Sequence, residues 1–205
     1  MLIKTLPVGQ IETNCYIVTD EDTLECAVID PGDESNTILD YLEEHKLKPK
    51  YIFLTHGHFD HTMAVSAIHE ETGAVVCMNH KDAGAVLENA PFKFNPPADT
   101  IWYGEGDEIT VGGLTFHVIE TPGHTPGGVT LQCEDALFTG DTLFRDSCGR
   151  TDLYGGDMNQ LLRSLKRLSD LPGDYEVYPG HMDSSSLDRE RRYNYYMKYA
   201  QDALS

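Results

Sequence analysis

The chain lacks a paired-cysteine pattern and any long apolar run, and it carries little positive charge. Its five cysteines, Cys15, Cys26, Cys77, Cys133 and Cys148, are widely spread and contain no C-x-x-C pair. That excludes a disulfide framework and a thiolate zinc site, and fits a reducing interior. No apolar stretch approaches the roughly 18 residues that cross a bilayer, and Met1 runs directly into Leu2-Ile3-Lys4-Thr5-Leu6-Pro7 without the apolar region of a secretory signal. The expectation is a cytoplasmic protein with no membrane partner. Basic residues number 15 against 34 acidic ones, a net charge of -19. Such a chain repels phosphate backbones and anionic lipid at long range, so nucleic acid is not an expected partner either. Most of the acidity, as in Asp20-Glu21-Asp22 and Glu43-Glu44, reads as solvated surface. The sequence carries no signal of oligomeric state.

With 205 residues and 40% hydrophobic content, one domain spanning residues 1–205 is expected. Asn14 to Thr19 and Glu25 to Asp30 read as a β-hairpin, Ser35 to His45 as a helix with Ile38, Leu39 and Leu42 on one face, and Tyr51 to Leu54 as a strand. Helix is predicted over Thr62 to Glu71 and Lys81 to Glu88, with Ala74 to Met78 extended between them. In the second half, Glu108 to Val111, Leu114 to Glu120, Val129 to Cys133 and Ala136 to Thr139 read as strands. Leu161, Leu162, Leu165 and Leu168 fall at helical spacing, Tyr175 to Tyr178 adds a strand, and a single C-terminal helix closes the chain. This alternation is that of an α/β protein, with two similar halves packed sheet to sheet and helices outside.

The strongest chemical signal is Thr55-His56-Gly57-His58-Phe59-Asp60-His61, three imidazoles and a carboxylate directly after an apolar strand. Imidazole nitrogen and carboxylate oxygen are zinc-compatible donors, and a loop at a strand end can aim neighbouring side chains at different points. Three further segments each follow a strand and set one His or Asp among glycine and proline: Pro122-Gly123-His124-Thr125-Pro126-Gly127, Thr139-Gly140-Asp141-Thr142 and Pro179-Gly180-His181. Taken singly these are ordinary turns; with the first cluster they form a set. His45, His69, His80 and His117 lie outside it and have no assigned role.

H-x-H-x-D-H followed by isolated His, Asp and His at strand ends resembles the metallo-β-lactamase superfamily, over about Asn14 to His181. The resemblance implies a four-layer αββα sandwich with the metal site at one edge between the sheets. It implies two divalent cations per chain, zinc first with iron or manganese as alternatives. One would be held by His56, His58 and His124, the other by Asp60, His61 and His181, with Asp141 bridging both. Val28-Ile29-Asp30-Pro31-Gly32 looks like the family's first motif, in which Asp30 orients a ligand histidine from behind.

Two cations at such a site yield a bridging hydroxide near neutral pH and polarise a carbonyl, so no serine or cysteine nucleophile is needed; Asp60 would orient the hydroxide. Gly140-Asp141-Thr142-Leu143-Phe144 and Cys148-Gly149-Arg150 resemble glyoxalase II, which implies hydrolysis of a small thioester such as an S-acylglutathione. Where glyoxalase II reads Cys-Gly-Lys-Phe-Tyr, this chain reads Cys148-Gly149-Arg150-Thr151-Asp152, keeping a cation and replacing the tyrosine that contacts glutathione. No separate C-terminal glutathione-binding domain is expected after His181. Arg150 is the expected contact for a substrate carboxylate, with ion pairing to Asp152 or Asp157 as the structural alternative; Arg145 and Tyr154 are weaker choices. Gly149-Arg150-Thr151-Asp152 also resembles persulfide dioxygenases, which implies one iron and an oxidoreductase as the competing reading. A hydrolase of another ester or lactone, and a noncatalytic metal-binding protein on the same fold, are further alternatives.

Overall fold

Side chains alternate between two buried faces along the central strands, and that alternation makes the layers. In β2 (Thr13–Thr19), Tyr16 and Val18 face one apolar cluster while Cys15 and Ile17 face another. The same split separates Ala27 and Ile29 from Cys26 and Val28 in β3 (Glu25–Ile29). In β4 (Lys48–Phe53) it separates Phe53 from Ile52. Strands buried on both faces need nearly continuous apolar runs, which is how these segments read.

The computed structural model describes residues 1–83 and 94–204. A first sheet has six strands in the order β1 (Leu2–Val8), β2, β3, β4, β5 (Val75–Met78) and β6 (Ile101–Trp102), antiparallel up to β3 and parallel beyond it. The second runs β7 (Glu108–Val111), β8 (Leu114–Glu120), β9 (Val129–Cys133), β10 (Ala136–Gly140), β13 (Glu176–Pro179) and β14 (Ser185–Ser186), with only β10 and β13 parallel. A small hairpin, β11 (Leu143–Phe144) and β12 (Ser147–Cys148), follows β10. Helices α1 (Ser35–Glu44) and α3 (Val65–Thr72) cover the first sheet through Ile38, Leu42, Val65 and Ile68. Helices α4 (Met158–Ser169) and α6 (Tyr195–Ala203) cover the second through Leu161, Leu165, Leu168 and Met197. The expected αββα sandwich is therefore found.

Between the sheets lies an aromatic seam. Phe53 meets Phe116 edge-on at 4.9 Å, and Phe138 contacts Tyr16 and Tyr178, each at 5.3 Å between ring centroids. Four of the five thiols are buried and all five are unpaired; burial pushes Cys26, Cys77, Cys133 and Cys148 up to about 12, so they stay protonated and unreactive.

Several elements depart from the sequence expectations. Strand β1 was not expected: it is an edge strand, half exposed and carrying Pro7, so it has neither clean alternation nor an unbroken run. The helix expected over Thr62 to Glu71 is two pieces, α2 (Phe59–Thr62) and α3, and α2 begins inside the histidine cluster. The single C-terminal helix is also two, α5 (Leu187–Tyr193) and α6, broken at Asn194. Asn194 is fully buried; its carbonyl oxygen caps α6 and its amide donates to Phe144, Ser147 and Glu190, bonds that a continuous helix would lose. Of the helix expected over Lys81 to Glu88, the start lies in a short 3-10 turn, His80–Asp82, and residues 84–88 lie outside the described residues. Among the described residues, no helix is long and apolar enough to cross a membrane.

Because Phe138 fills the seam from the strand that leads into Asp141, Phe138→Ala is expected to destabilise the protein by about 3–5 kcal/mol. Denaturant unfolding at equilibrium measures this, and a loss under about 1 kcal/mol would contradict the packing described.

Candidate metal centre

The seven metal-ligand candidates gather at one edge of the sandwich, five in loops that follow strands and two, Asp60 and His61, in α2. His56, His58, Asp60 and His61 follow β4, His124 lies between β8 and β9, Asp141 follows β10 and His181 follows β13. Donor atoms of His56, His58 and His124 lie within 4.8 Å of one another, and so do those of Asp60, His61 and His181. Asp141 reaches towards both trios, with Oδ2 3.4 Å from His124 Nε2 and 3.6 Å from His181 Nε2, and Oδ1 3.5 Å from His61 Nε2.

The outer nitrogens are committed elsewhere, which decides what the inner ones can do. Asp30, buried at the end of β3, accepts from the Thr55 amide at 2.8 Å, the Thr55 hydroxyl at 2.6 Å and His61 Nδ1 at 3.0 Å. Since Thr55 donates to Asp30, it can only accept from His56 Nδ1, 3.1 Å away. The Arg150 carbonyl accepts from His124 Nδ1 at 2.7 Å. Each ring thus turns Nε2 inward. His58 turns Nδ1 inward instead, 2.9 Å from His124 Nε2; two such nitrogens repel unless a proton or a cation lies between them.

Whether a cation suits this arrangement is tested by its unsatisfied atoms. Among the described residues, four buried side-chain polar atoms have no hydrogen-bond partner, and three of them are His56 Nε2, His61 Nε2 and Asp141 Oδ1. Orphaned buried donors and acceptors are costly and rare, and their concentration at one point fits metal coordination.

Protonation separates His56 and His58 from His61 and His181. Burial drives His56 well down, reinforced by His61 and His58, and drives His58 down to about 4, with His124 adding to it. These rings stay neutral at physiological pH, as metal ligation requires. For His61, burial is outweighed by Asp141 and Asp30, and for His181 by Asp60 and Asp141, so both are raised. Burial opposes ionisation of Asp60 too, yet the His181 and His61 rings, with Nε2 3.2 and 3.4 Å from its Oδ2, hold it far below the usual carboxylate range.

The backbone passes very close to these groups. A Cβ on Gly180 would lie 2.3 Å from Asp141 Oδ1 and 2.7 Å from His61 Cε1, and one on Gly32 would lie 1.6 Å from the Asp60 carbonyl oxygen. The bend Asp30-Pro31-Gly32 therefore does two things: its carboxylate orients rings, and its glycine lets the Asp60 backbone approach.

Arg150 makes the ion pair with Asp152 that the sequence offered as the structural alternative. Its guanidinium is exposed and pairs side-on with Asp152 at 2.6 and 2.7 Å, while its carbonyl steadies His124. Arg145 lies 3.5 Å from Asp183, and Tyr154 is exposed. Sequence reasoning missed the residues that hold the loops. Asn14 donates to the Pro179 and Met182 carbonyls and the Tyr16 hydroxyl to Pro179 at 2.6 Å, clamping the His181 turn from β2. The Thr13 hydroxyl donates to Asp60 Oδ2 at 3.3 Å. Asp82 bonds both of the loops that carry the first trio. The four histidines left without a role are satisfied or peripheral; His45 and His69, for instance, bond the carbonyls of Tyr41 and Ala74.

A model of the family described as Metallo-beta-lactamase superfamily matches residues 8–181. An uncharacterized protein of Aquifex aeolicus (strain VF5) is 39% identical, over 95% of this chain and 96% of that one. The hydroxyacylglutathione hydrolase GloC of Haemophilus influenzae (strain ATCC 51907 / DSM 11121 / KW20 / Rd) is 31% identical, over 95% of this chain and 97% of its own. Among solved structures, the BLEG-1 B3 metallo-beta-lactamase superposes with a TM-score of 0.86 at 33% identity, covering 96% of this chain and 99% of that one. ETHE1 from Myxococcus xanthus gives 0.84 at 32%, over 100% of this chain and 92% of that one. TTHA1623, solved in a di-iron-bound form, gives 0.83 at 35%, over 94% of this chain and 99% of that one.

A pH dependence follows for protein stripped by a chelator. His58 is held at about 4 against an ordinary 6.5, so between those values the unfolded chain binds the extra proton. Stability is then full above pH 6.5 and lost as pH falls towards 4, by up to about 3 kcal/mol at about 1.4 kcal/mol per pH unit. His56 acts with the same sign, whereas His61 and His181, being raised, lose their contribution as pH rises. Denaturant titrations across this range are expected to show the acid loss, with His58→Gln removing its share; a flat profile in unmutated protein would refute it.

Proposed function

Given that the chain belongs to the metallo-β-lactamase superfamily, we propose that it is a metal-dependent hydrolase that cleaves a small thioester of the S-acylglutathione type. The observation that carries this reading is the pair of donor trios with Asp141 between them. His56, His58 and His124 would hold one cation, Asp60, His61 and His181 the other, and Asp141 would bridge them. Neutral imidazoles with carboxylates favour zinc; one similar chain was solved in a di-iron-bound form, so metal analysis must include iron. Bound there, the cations supply a water acidic enough to ionise near neutral pH and an electrophile for the substrate carbonyl.

The chain's own groups do the positioning. Asp60 would be the catalytic carboxylate: its Oδ2, held by the Thr13 hydroxyl, would accept a hydrogen bond from the attacking water and so orient it. Asp30 keeps His61 aimed inward and, through Thr55, His56 as well. A departing thiolate has a free pKa of about 8.5 and leaves without a proton donor, which suits a centre where His56 and His58 are neutral. Arg150 is the proposed contact for a substrate carboxylate, which would displace Asp152 from the guanidinium. Support for a thioester comes from the Cys148-Gly149-Arg150 segment and from GloC, a hydroxyacylglutathione hydrolase by name. The setting is proposed to be cytoplasmic, with neither nucleic acid nor membrane as partner.

Turnover of S-lactoylglutathione by protein of measured metal content tests the reading. Two metal equivalents per chain and release of free thiol are expected. Chelation should abolish turnover and added metal restore it, and Asp60→Asn should lower kcat by at least about 100-fold. One iron per chain, with oxygen uptake on a persulfide and no thiol release from the thioester, would establish the persulfide dioxygenase alternative instead. Two bound metals without turnover of any ester or thioester would mean a binding protein.

A further inference from the structure

The centre leaves one buried carboxylate unexplained. Asp82, at the end of the His80–Asp82 turn, is 1% exposed. Its Oδ2 accepts from the Gly57 amide at 3.0 Å and from the Thr125 hydroxyl at 2.7 Å, and its Oδ1 from the Gly127 amide at 2.6 Å. Gly57 separates His56 from His58, and Thr125 follows His124 directly. One carboxylate thus ties together the two loops that supply the first trio, and its hydrogen bonds go to neither Asp60, His61 nor His181.

An ionised carboxylate satisfies this arrangement in full and offsets the burial that pushes the Asp82 carboxyl above its ordinary value. Three donors converge on it, from two backbone amides and a hydroxyl, so three acceptor positions are required. Asparagine offers a single acceptor oxygen and turns an NH2 group towards a donor it cannot accept. Burying a carboxylate is costly unless it is fully hydrogen-bonded, and these three bonds fix the separation of the two loops. Thr125 and Gly127 also border the turn that presents His124 Nδ1 to the Arg150 carbonyl, so movement of this loop would swing the inward nitrogen.

We propose that Asp82 is a positioning residue for the His56, His58 and His124 half of the centre, setting its cation affinity while leaving the Asp60, His61 and His181 half unaffected. The inference rests on the metal reading above and adds a residue to it. Zinc titration of chelator-treated protein, in competition with a chromophoric chelator, tests it without any assay of activity. Unmutated protein is expected to take two zinc ions. Asp82→Asn should weaken one step by about tenfold or more and leave the other within about twofold. In a His181→Ala background, where the three-histidine trio is the intact one, the same loss is expected; in a His124→Ala background, none. Thr125→Val keeps the shape and removes one of the three bonds, so it should weaken the same step to a smaller degree, and it carries the test alone if Asp82→Asn does not fold. Equal loss at both steps, or no loss at either, overturns the proposal. Failure of unmutated protein to bind zinc, iron or manganese at all sinks the metal reading itself.

Discussion

A single buried acceptor, the Asp30 carboxylate, decides which nitrogen of two imidazoles is free. It takes His61 Nδ1 directly and His56 Nδ1 through the Thr55 hydroxyl, and it also holds the Thr55 amide where β4 ends. One ring belongs to each trio, so both halves of the centre take their orientation from the same group. The position is conformationally demanding, since Asp30 has φ of 50°, in the left-handed region that aspartate tolerates better than most residues. Strain of this kind persists where surrounding structure determines it, and here three hydrogen bonds do so.

The chemistry was legible in the sequence because ligands cannot be exchanged for residues of similar shape. Seven His and Asp positions, four packed into one short segment after an apolar strand and three more each beside a glycine after a strand, stand out in the sequence, and the structure gathers all seven. The layers were legible too, since strands buried on both faces write themselves as apolar runs. What stayed hidden acts through geometry alone. Asn14, Tyr16 and Asp82 bond backbone carbonyls and amides of distant loops, and no local pattern distinguishes such residues from an ordinary strand or turn. The break at Asn194 was hidden for the same reason: its partners lie some 50 residues away, in the β11–β12 hairpin. Arg150 was noticed for its charge, whereas its visible contribution to the centre is a carbonyl that any residue could have supplied.

Fold and site are not separable here. The His181 turn belongs to the second sheet, yet it is clamped by Asn14 and Tyr16 from the first, and the Tyr16 ring also packs on Phe138 and Tyr178 in the seam between them. Sliding one sheet past the other would carry His181 away from Asp60. The aromatic seam is thus a spacer for the centre as well as a core, and a core change that leaves the protein folded can still alter the distance between the trios.

The close approach of backbone at Gly32 and Gly180 has a consequence for descent. A lineage of this fold can replace its rim, where the Arg150 and Met182 side chains are exposed, at little cost to the cradle beneath. It cannot place even a methyl group on the floor without displacing Asp60 or Asp141. New substrates must therefore be acquired from above, by exchange of loops over an unchanging base, and chains that act on different bonds are expected to differ most where they touch the metal least.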